Sequence, residues 1–222
     1  MMSENREKIA ELYFRSNTFL FGEFRLSAHL DNPELPLSPY YLHYPKPGEP
    51  GNELLPEMFE LIGEEFYSIC EAKLPDKPRR IAGVPKGALP LAEAHAKHYS
   101  GYPSNLVTFT KINQDGKTSF VGPNVKFAKG DELIIDDDHT SGGRNKRLMR
   151  AAALSGGLIV NTMLTVVDRQ QGGVENMAKD GVALLSIFTI DKLLEFALQT
   201  SFASKSDSER VKEYMAQNQY VI

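Results

Sequence analysis

The chain has 222 residues, room for one sizeable α/β domain with a small appended piece but cramped for two full domains. Apolar residues make up 41% and charged residues 24%, an ordinary globular balance, and a formal net charge of −4 gives no electrostatic footprint for nucleic acid. One cysteine, Cys70, excludes an internal disulfide and fits a reducing compartment, while no apolar run approaches the ~20 residues of a membrane span and the polar start lacks a signal peptide's apolar core. The expectation is a cytoplasmic protein with neither membrane nor nucleic acid as partner.

Ser3 is placed to cap a first helix, with Glu4 and Glu7 in its opening turn and Ile9, Leu12 and Tyr13 along one side. Residues 19–26 read as extended, 32–39 as a proline-punctuated loop, and 40–42 as a short strand. Between 54 and 74, Leu55, Met58, Phe59, Ile62, Phe66, Ile69 and Cys70 recur at the helical period. Cys70 therefore has a packing role rather than a nucleophilic one. A strand is predicted at 81–84, a helix at 88–98, a strand at 106–109, and a polar loop at 110–124. His95 and His98 lie three apart near Glu93, and a solvent-facing helix is preferred there over a metal site. His29 and His43 read as loop residues.

After a turn at 128–131, Leu133, Ile134 and Ile135 form a buried strand, followed by a helical stretch at 144–154. A strand is predicted at 158–167, a short helix at 175–179, a strand at 182–188 and a helix at 190–198. A last helix at 206–217 takes Ser206 or Asp207 as its cap. Strands alternating with helices predict an α/β fold, a parallel sheet flanked by helices on both faces. The first 75 residues lack that alternation and are expected to form an N-terminal cap, with residues 76–222 as the α/β core of a single domain. No Gly-x-Gly-x-x-Gly follows a strand, so a dinucleotide fold has no support.

The most informative stretch is 132–144. An apolar strand runs into Asp136, Asp137 and Asp138, then His139, then Thr140, Ser141, Gly142 and Gly143, and a helix starts at Arg144. Carboxylates at a strand end can hold sugar hydroxyls or a metal, and backbone N–H groups at a glycine-rich helix start can hold a phosphate. That combination suits a ribose phosphate.

This stretch resembles the phosphoribosyl-pyrophosphate (PRPP) signature of the type I phosphoribosyltransferases. Further runs in the right order resemble the orotate phosphoribosyltransferase branch over nearly the whole chain. They are Phe21 to Leu26 with Ser38 to Tyr41, the glycine turn from Gly83 to Ala92, Val167-Asp168-Arg169-Gln170, and Ser186 to Thr189 with Leu193-Leu194. The resemblance implies a type I phosphoribosyltransferase-like fold with an N-terminal hood, working as a homodimer on PRPP and orotate. It implies a transfer in which a ring nitrogen of orotate displaces pyrophosphate from C1 of PRPP. The products are orotidine 5'-monophosphate and pyrophosphate, in pyrimidine nucleotide synthesis. Mg²⁺ is expected as cofactor, carried mainly by PRPP rather than by a protein metal site.

The same resemblance implies the residue roles. Asp136 and Asp137 would accept hydrogen bonds from the ribose hydroxyls, and Thr140, Ser141, Gly142 and Gly143 would wrap the 5'-phosphate. Lys86 and Gly87 would lie in the pyrophosphate-holding turn, and Lys111 would be the catalytic loop cation beside the two acids. Arg169 would pair with the orotate carboxylate, and Tyr40, Tyr41 and Thr140 would line the base site. The chain also departs from the pattern. Its loop at 110–117 keeps Lys111 but lacks the family's arginine and histidine, with Lys117 as a possible replacement cation. Ser27 stands where the family has a lysine, and Lys86 is one position off the turn lysine of some members. Asp138 and His139 replace an aliphatic pair, and Arg144 follows the turn. Two alternatives stay open at this point: a relative that uses another base, and a PRPP- or nucleotide-binding regulator with impaired catalysis.

Overall fold

A computed structural model describes residues 2–25, 34, 36–74, 79–114, 116–123 and 127–220; Ser27 and His29 lie outside them. The elements begin with α1 (Glu4–Arg15), β1 (Phe19–Phe24), β2 (Ser38–Leu42), α2 (Leu55–Lys73), β3 (Arg80–Gly83) and α3 (Leu89–Lys97). A hairpin follows, β4 (Thr110–Gln114) and β5 (Lys117–Val121), then β6 (Glu132–Thr140), α4 (Arg144–Ser155) and β7 (Ile159–Asp168). The chain continues with α5 (Gly173–Lys179), β8 (Ala183–Thr189), α6 (Ile190–Gln199) and α7 (Lys205–Gln217).

Two compact units divide these elements. The first takes Met1–Met58 together with Thr189–Gln219, the second Phe59–Phe188 and Tyr220–Ile222. The C-terminal helices thus join the N-terminal segment in the first unit. The reason is an aromatic core. Phe14 of α1 stacks on Phe202 at 5.2 Å and on Phe196 of α6 at 6.4 Å, and meets Phe19 at a tilt at 5.1 Å. Tyr40 of β2 meets Tyr214 of α7 edge-on at 6.3 Å. β1 and β2 pair antiparallel, Phe21 opposite Tyr40. Helix α1 is capped by Ser3, as expected. For α7 the cap is Ser204, not Ser206 or Asp207. The Ser204 hydroxyl accepts from the Asp207 N–H while the Asp207 carboxylate receives the Ser204 N–H, so Asp207 is the distal half of a capping box.

The second unit is built on a four-stranded sheet in the order β3-β6-β7-β8. β6 runs parallel to both β3 and β7, with Gly83 beside Asp136 and Asp137 beside Thr165. Leu133, Ile134 and Ile135 are fully buried, as are Met163, Leu164, Val166 and Val167 on β7. β6 outlasts its apolar run, so Asp136, Asp137 and Asp138 lie within the strand rather than after it. The strand expected at 106–109 reduces to one parallel bridge, Leu106 with Ile81.

Residues 110–114 and 117–121 are not a loop but pair as the hairpin β4–β5, with Gln114 opposite Lys117 and Thr110 opposite Val121. The Asp115-Gly116 pair in the sequence is a hairpin signal, and Gly116 takes a φ of +73°.

Helices α2 and α3 meet at Gly63. A Cβ there would stand 2.6 Å from the Ala94 carbonyl carbon and 2.8 Å from the His95 nitrogen. Gly63→Ala should therefore push α3 outward and cost about 1–3 kcal/mol of stability, read as a lower midpoint in urea unfolding. An unchanged midpoint would show that the two helices can separate freely.

Candidate active site

Side chains alternate along β6, so its three acids face different neighbours. Asp136 points to α3. Its Oδ2 lies 2.9 Å from Nδ1 of His95, and both side chains are 0% exposed. Behind them Cys70 of α2 places Sγ 3.8 Å from His95 Nε2. His95 is thus a core residue and not the solvent-facing one expected; His98 is exposed and stacks on Tyr67. Burial pushes the Asp136 carboxyl above the ordinary carboxylate range, and pushes the Cys70 thiol up to about 12. A thiol so held is un-ionised at neutral pH, in keeping with the packing role expected of Cys70.

Asp137 points to the opposite face, where Lys146 of α4 pairs with its Oδ2. Lys146 is 1% exposed and Asp137 7%. Burial raises the Asp137 carboxyl to about 7, against the pull of the Lys146 ammonium. Its other oxygen accepts the Asp138 N–H at 3.0 Å. Asp138 returns to the first face, but at the end of the strand. Its Oδ1 accepts the His139 N–H at 2.6 Å, and its side chain is 28% exposed.

The turn after β3 is tied to this strand by the Val84 N–H, which donates to the Asp136 carbonyl at 2.9 Å. Lys86 and Gly87 are exposed there. A Cβ on Gly87 would overlap the Asp138 Oδ2, so glycine is what lets the turn close against that carboxylate.

At the end of β6, Thr140 turns its hydroxyl inward to donate to Thr165 Oγ1 at 3.0 Å, and only 1% of the residue is exposed. Ser141, Gly142 and Gly143 stay half-exposed and lead into α4. Gly143 caps that helix with a φ of +79°, a left-handed conformation that glycine adopts without strain. The three residues line a cavity of about 670 Å³ with Arg144, Arg147, Asn176 and Tyr220. Asn176 Nδ2 donates to both the Gly142 and Tyr220 carbonyls, holding the loop. Arg169 follows β7 directly, and its N–H donates to the Thr140 carbonyl at 2.8 Å. Glycine turn, acids, phosphate-type loop and arginine all gather at the carboxyl ends of parallel strands, where open α/β sheets bind ligands.

Lys111 sits on β4 of the hairpin. Tyr40 and Tyr41 belong to the first unit. Tyr40 is fully buried, its ring stacked on Phe19 at 5.6 Å, and so packs as a core residue. Tyr41 is 37% exposed and stacks on Phe24 and His43, which leaves it as the ring of that pair with surface to offer.

No family model matches the chain. Among curated proteins, the orotate phosphoribosyltransferase of Sulfurisphaera tokodaii is 28% identical over 159 residues, 69% of this chain and 79% of that protein. Among solved structures, orotate phosphoribosyltransferase from Aeropyrum pernix superposes with a TM-score of 0.66 at 22% identity, covering 88% of this chain and 99% of that one. The fold is that of a type I phosphoribosyltransferase. UMP synthase of Leishmania donovani gives a TM-score of 0.72 at 23% identity; the match covers 95% of this chain but spans 42% of the longer one. The resemblance of the sequence to orotate phosphoribosyltransferases is borne out by these relatives.

Lys146, the partner of Asp137, was not singled out in the sequence, and His95, the partner of Asp136, was expected to face solvent. A signal existed for each. His95 falls four after Leu91 and Lys146 three before Met149, which places both on the buried stripe of their helices. An ionisable residue on such a stripe calls for a buried partner.

Proposed function

We propose that this chain is an orotate phosphoribosyltransferase that transfers the phosphoribosyl group of PRPP to orotate in pyrimidine nucleotide synthesis. The observation that carries this reading is the similarity to curated orotate phosphoribosyltransferases over most of the chain, with the Asp168-Arg169-Gln170 run held at the end of β6. In this reading residues 141–143 would present backbone N–H groups to the 5'-phosphate. Lys86 and the turn around Gly87 would meet the pyrophosphate. The Arg169 guanidinium would take the orotate carboxylate as a planar, two-pronged partner.

The displacement forms the bond from the orotate ring nitrogen to C1 of ribose as the C1–oxygen bond to pyrophosphate breaks. The protein's part is to position both reactants and to neutralise charge as pyrophosphate leaves. Mg²⁺ would arrive on the pyrophosphate of PRPP and offset its charge. The site suits a metal brought by the substrate, because Asp136 and Asp137 are turned to His95 and Lys146. Assembly as a homodimer and a cytoplasmic location belong to the same proposal. Among the described residues no helix is long and apolar enough to cross a membrane.

The test is to mix the protein with PRPP, Mg²⁺ and orotate and to follow loss of orotate absorbance together with pyrophosphate release. Turnover is expected. Arg169→Ala should raise KM for orotate roughly 10- to 100-fold, the loss of a hydrogen-bonded charge partner. Tight PRPP binding without turnover would overturn the enzymatic reading in favour of a regulator, and turnover with a different base alone would overturn the choice of orotate.

A further inference from the structure

We propose that Tyr220 is a positioning residue that straps together the two loops that take PRPP and orotate, an inference that rests on the phosphoribosyl-transfer reading above. Residues 141–143 serve a phosphate best if their N–H groups are fixed in place before it arrives. The loop does not fix itself. Gly143 caps α4 without a side-chain hydrogen bond, and the first turn of that helix carries no acid. Its hold comes from outside. The Thr140 carbonyl accepts the Arg169 N–H, and Gly173 packs so closely that a Cβ there would stand 2.5 Å from the Ser141 carbonyl oxygen.

Tyr220 completes this frame. Its N–H donates to the Gln171 carbonyl at 3.0 Å, and its carbonyl accepts from Asn176 Nδ2 at 2.8 Å. The same amide of Asn176 donates to the Gly142 carbonyl at 3.0 Å, so one side chain of α5 joins residue 220 to the phosphate-type loop. Asn176 and Gln171 are each 1% exposed, which shields these bonds from water. Gln171 lies two places after Arg169, in the turn from β7 into α5. Residue 220 thus grips the arginine's loop with its N–H and the phosphate-type loop through its carbonyl. Its side chain adds a third contact: a Cβ on Gly142 would stand 2.7 Å from the Tyr220 Cβ. Gly142 does not take a positive φ, so Tyr220 and not the backbone conformation reserves that place for glycine. These contacts use the backbone and Cβ of Tyr220, none of them its hydroxyl. The loops lie away from the reacting atoms, so loosening them weakens ground state and transition state alike, which raises KM and spares kcat.

The experiment compares Tyr220→Gly, which takes the side chain off Gly142, Tyr220→Pro, which removes the N–H given to Gln171, and Tyr220→Phe, which removes neither. PRPP binding in the presence of Mg²⁺ is measured by calorimetry, KM for both substrates and kcat by the turnover assay, and folding by thermal melting. The first two variants should each weaken PRPP binding and raise KM for orotate roughly 3- to 10-fold at an unchanged kcat, the size of one lost hydrogen bond or packing contact. Tyr220→Phe should match the unaltered protein. Unchanged PRPP affinity in both Tyr220→Gly and Tyr220→Pro would overturn the inference, whatever their melting temperatures. A shift confined to one substrate would overturn it too, as would a Tyr220→Phe protein as impaired as the others. If Tyr220→Pro does not fold, Tyr220→Gly decides alone. If the unaltered protein binds PRPP but does not turn over orotate, the function reading fails while the PRPP affinities still judge Tyr220. No binding of PRPP by the unaltered protein overturns both.

Discussion

Lys146→Met should lower the unfolding free energy by about 3–5 kcal/mol at pH 8, a large share of the total for a domain of this size. Lys146 is 1% exposed and its partner Asp137 is 7% exposed, so the substitution leaves a carboxylate buried without a counter-charge. Methionine keeps most of the stem's packing, which confines the loss to the charge. The defect should also depend on pH. Asp137 already titrates high in the intact protein, raised from 3.8 to about 7 by burial, and loss of the ammonium removes the main influence pulling it down. At pH 5.5 the variant's carboxyl is then protonated and neutral, and much of the deficit should vanish. Adding Asp137→Asn should restore stability at pH 8 for the same reason. Urea unfolding at the two pH values reads both effects; a loss that is equal at pH 5.5 and pH 8 would show that packing and not charge was at stake.

The intact protein should follow the same sign. Asp136, Asp137 and Asp168 are all raised by burial, so the folded state keeps protons that the unfolded chain has released. For Asp137 the window runs from 3.8 to about 7. Across it the unfolded state binds fewer protons, so stability falls as pH rises, and the contribution levels off above the folded value. The melting temperature should therefore be higher at pH 5.5 than at pH 8. The surface acids Asp131, Asp180 and Asp207 are shifted down instead by their partners, so their contributions are lost only in more acid solution. A melting temperature that rises from pH 5.5 to pH 8 would contradict this account of the buried acids.

The parts legible in the sequence were those that depend on local pattern. The apolar run of Leu133, Ile134 and Ile135 marked the central strand, and the helical period read over 54–74 marked α2 within a residue at each end. What stayed hidden were partnerships between residues far apart in the chain. His95 and Asp136 are 41 residues apart, and neither sequence neighbourhood names the other. The same holds for the unit boundary, where Phe14 packs on Phe196 and Phe202 across almost the whole chain. For the site, composition misled in one further way. Three adjacent acids read as one ligand-binding group, but alternation along a strand sends neighbours to opposite faces. Only the fold shows that Asp136 and Asp137 meet buried partners on opposite faces while Asp138 lies against the Gly87 turn. In the hairpin the polar residues suggested a loop, although Asp115-Gly116 between short runs of Ile, Thr and Phe carried the turn signal.

That hairpin separates the roles of its two lysines, and on it rests the largest expected effect on rate. Directly opposed residues of an antiparallel pair share a face, and the faces alternate along each strand. Lys111 is opposite Phe120, so the two share one face with Asn113 and Thr118. Phe120 is buried and Lys111 half-buried, so this face looks inward. Lys117 is opposite Gln114 and shares the outer face with the exposed Ile112, Ser119 and Val121. Lys117 therefore cannot stand in for Lys111 without inverting the hairpin. If Lys111 is the cation that meets the charge leaving with pyrophosphate, Lys111→Ala should cut kcat by roughly 10²–10³, the effect of removing one preorganised transition-state donor. Lys117→Ala should change it by less than about threefold, as fits a solvated surface charge. Steady-state rates at saturating PRPP and orotate compare the two. An intact rate in Lys111→Ala would remove this lysine from the chemistry, and a large loss in Lys117→Ala would mean that the outer face is the one that closes on the substrate.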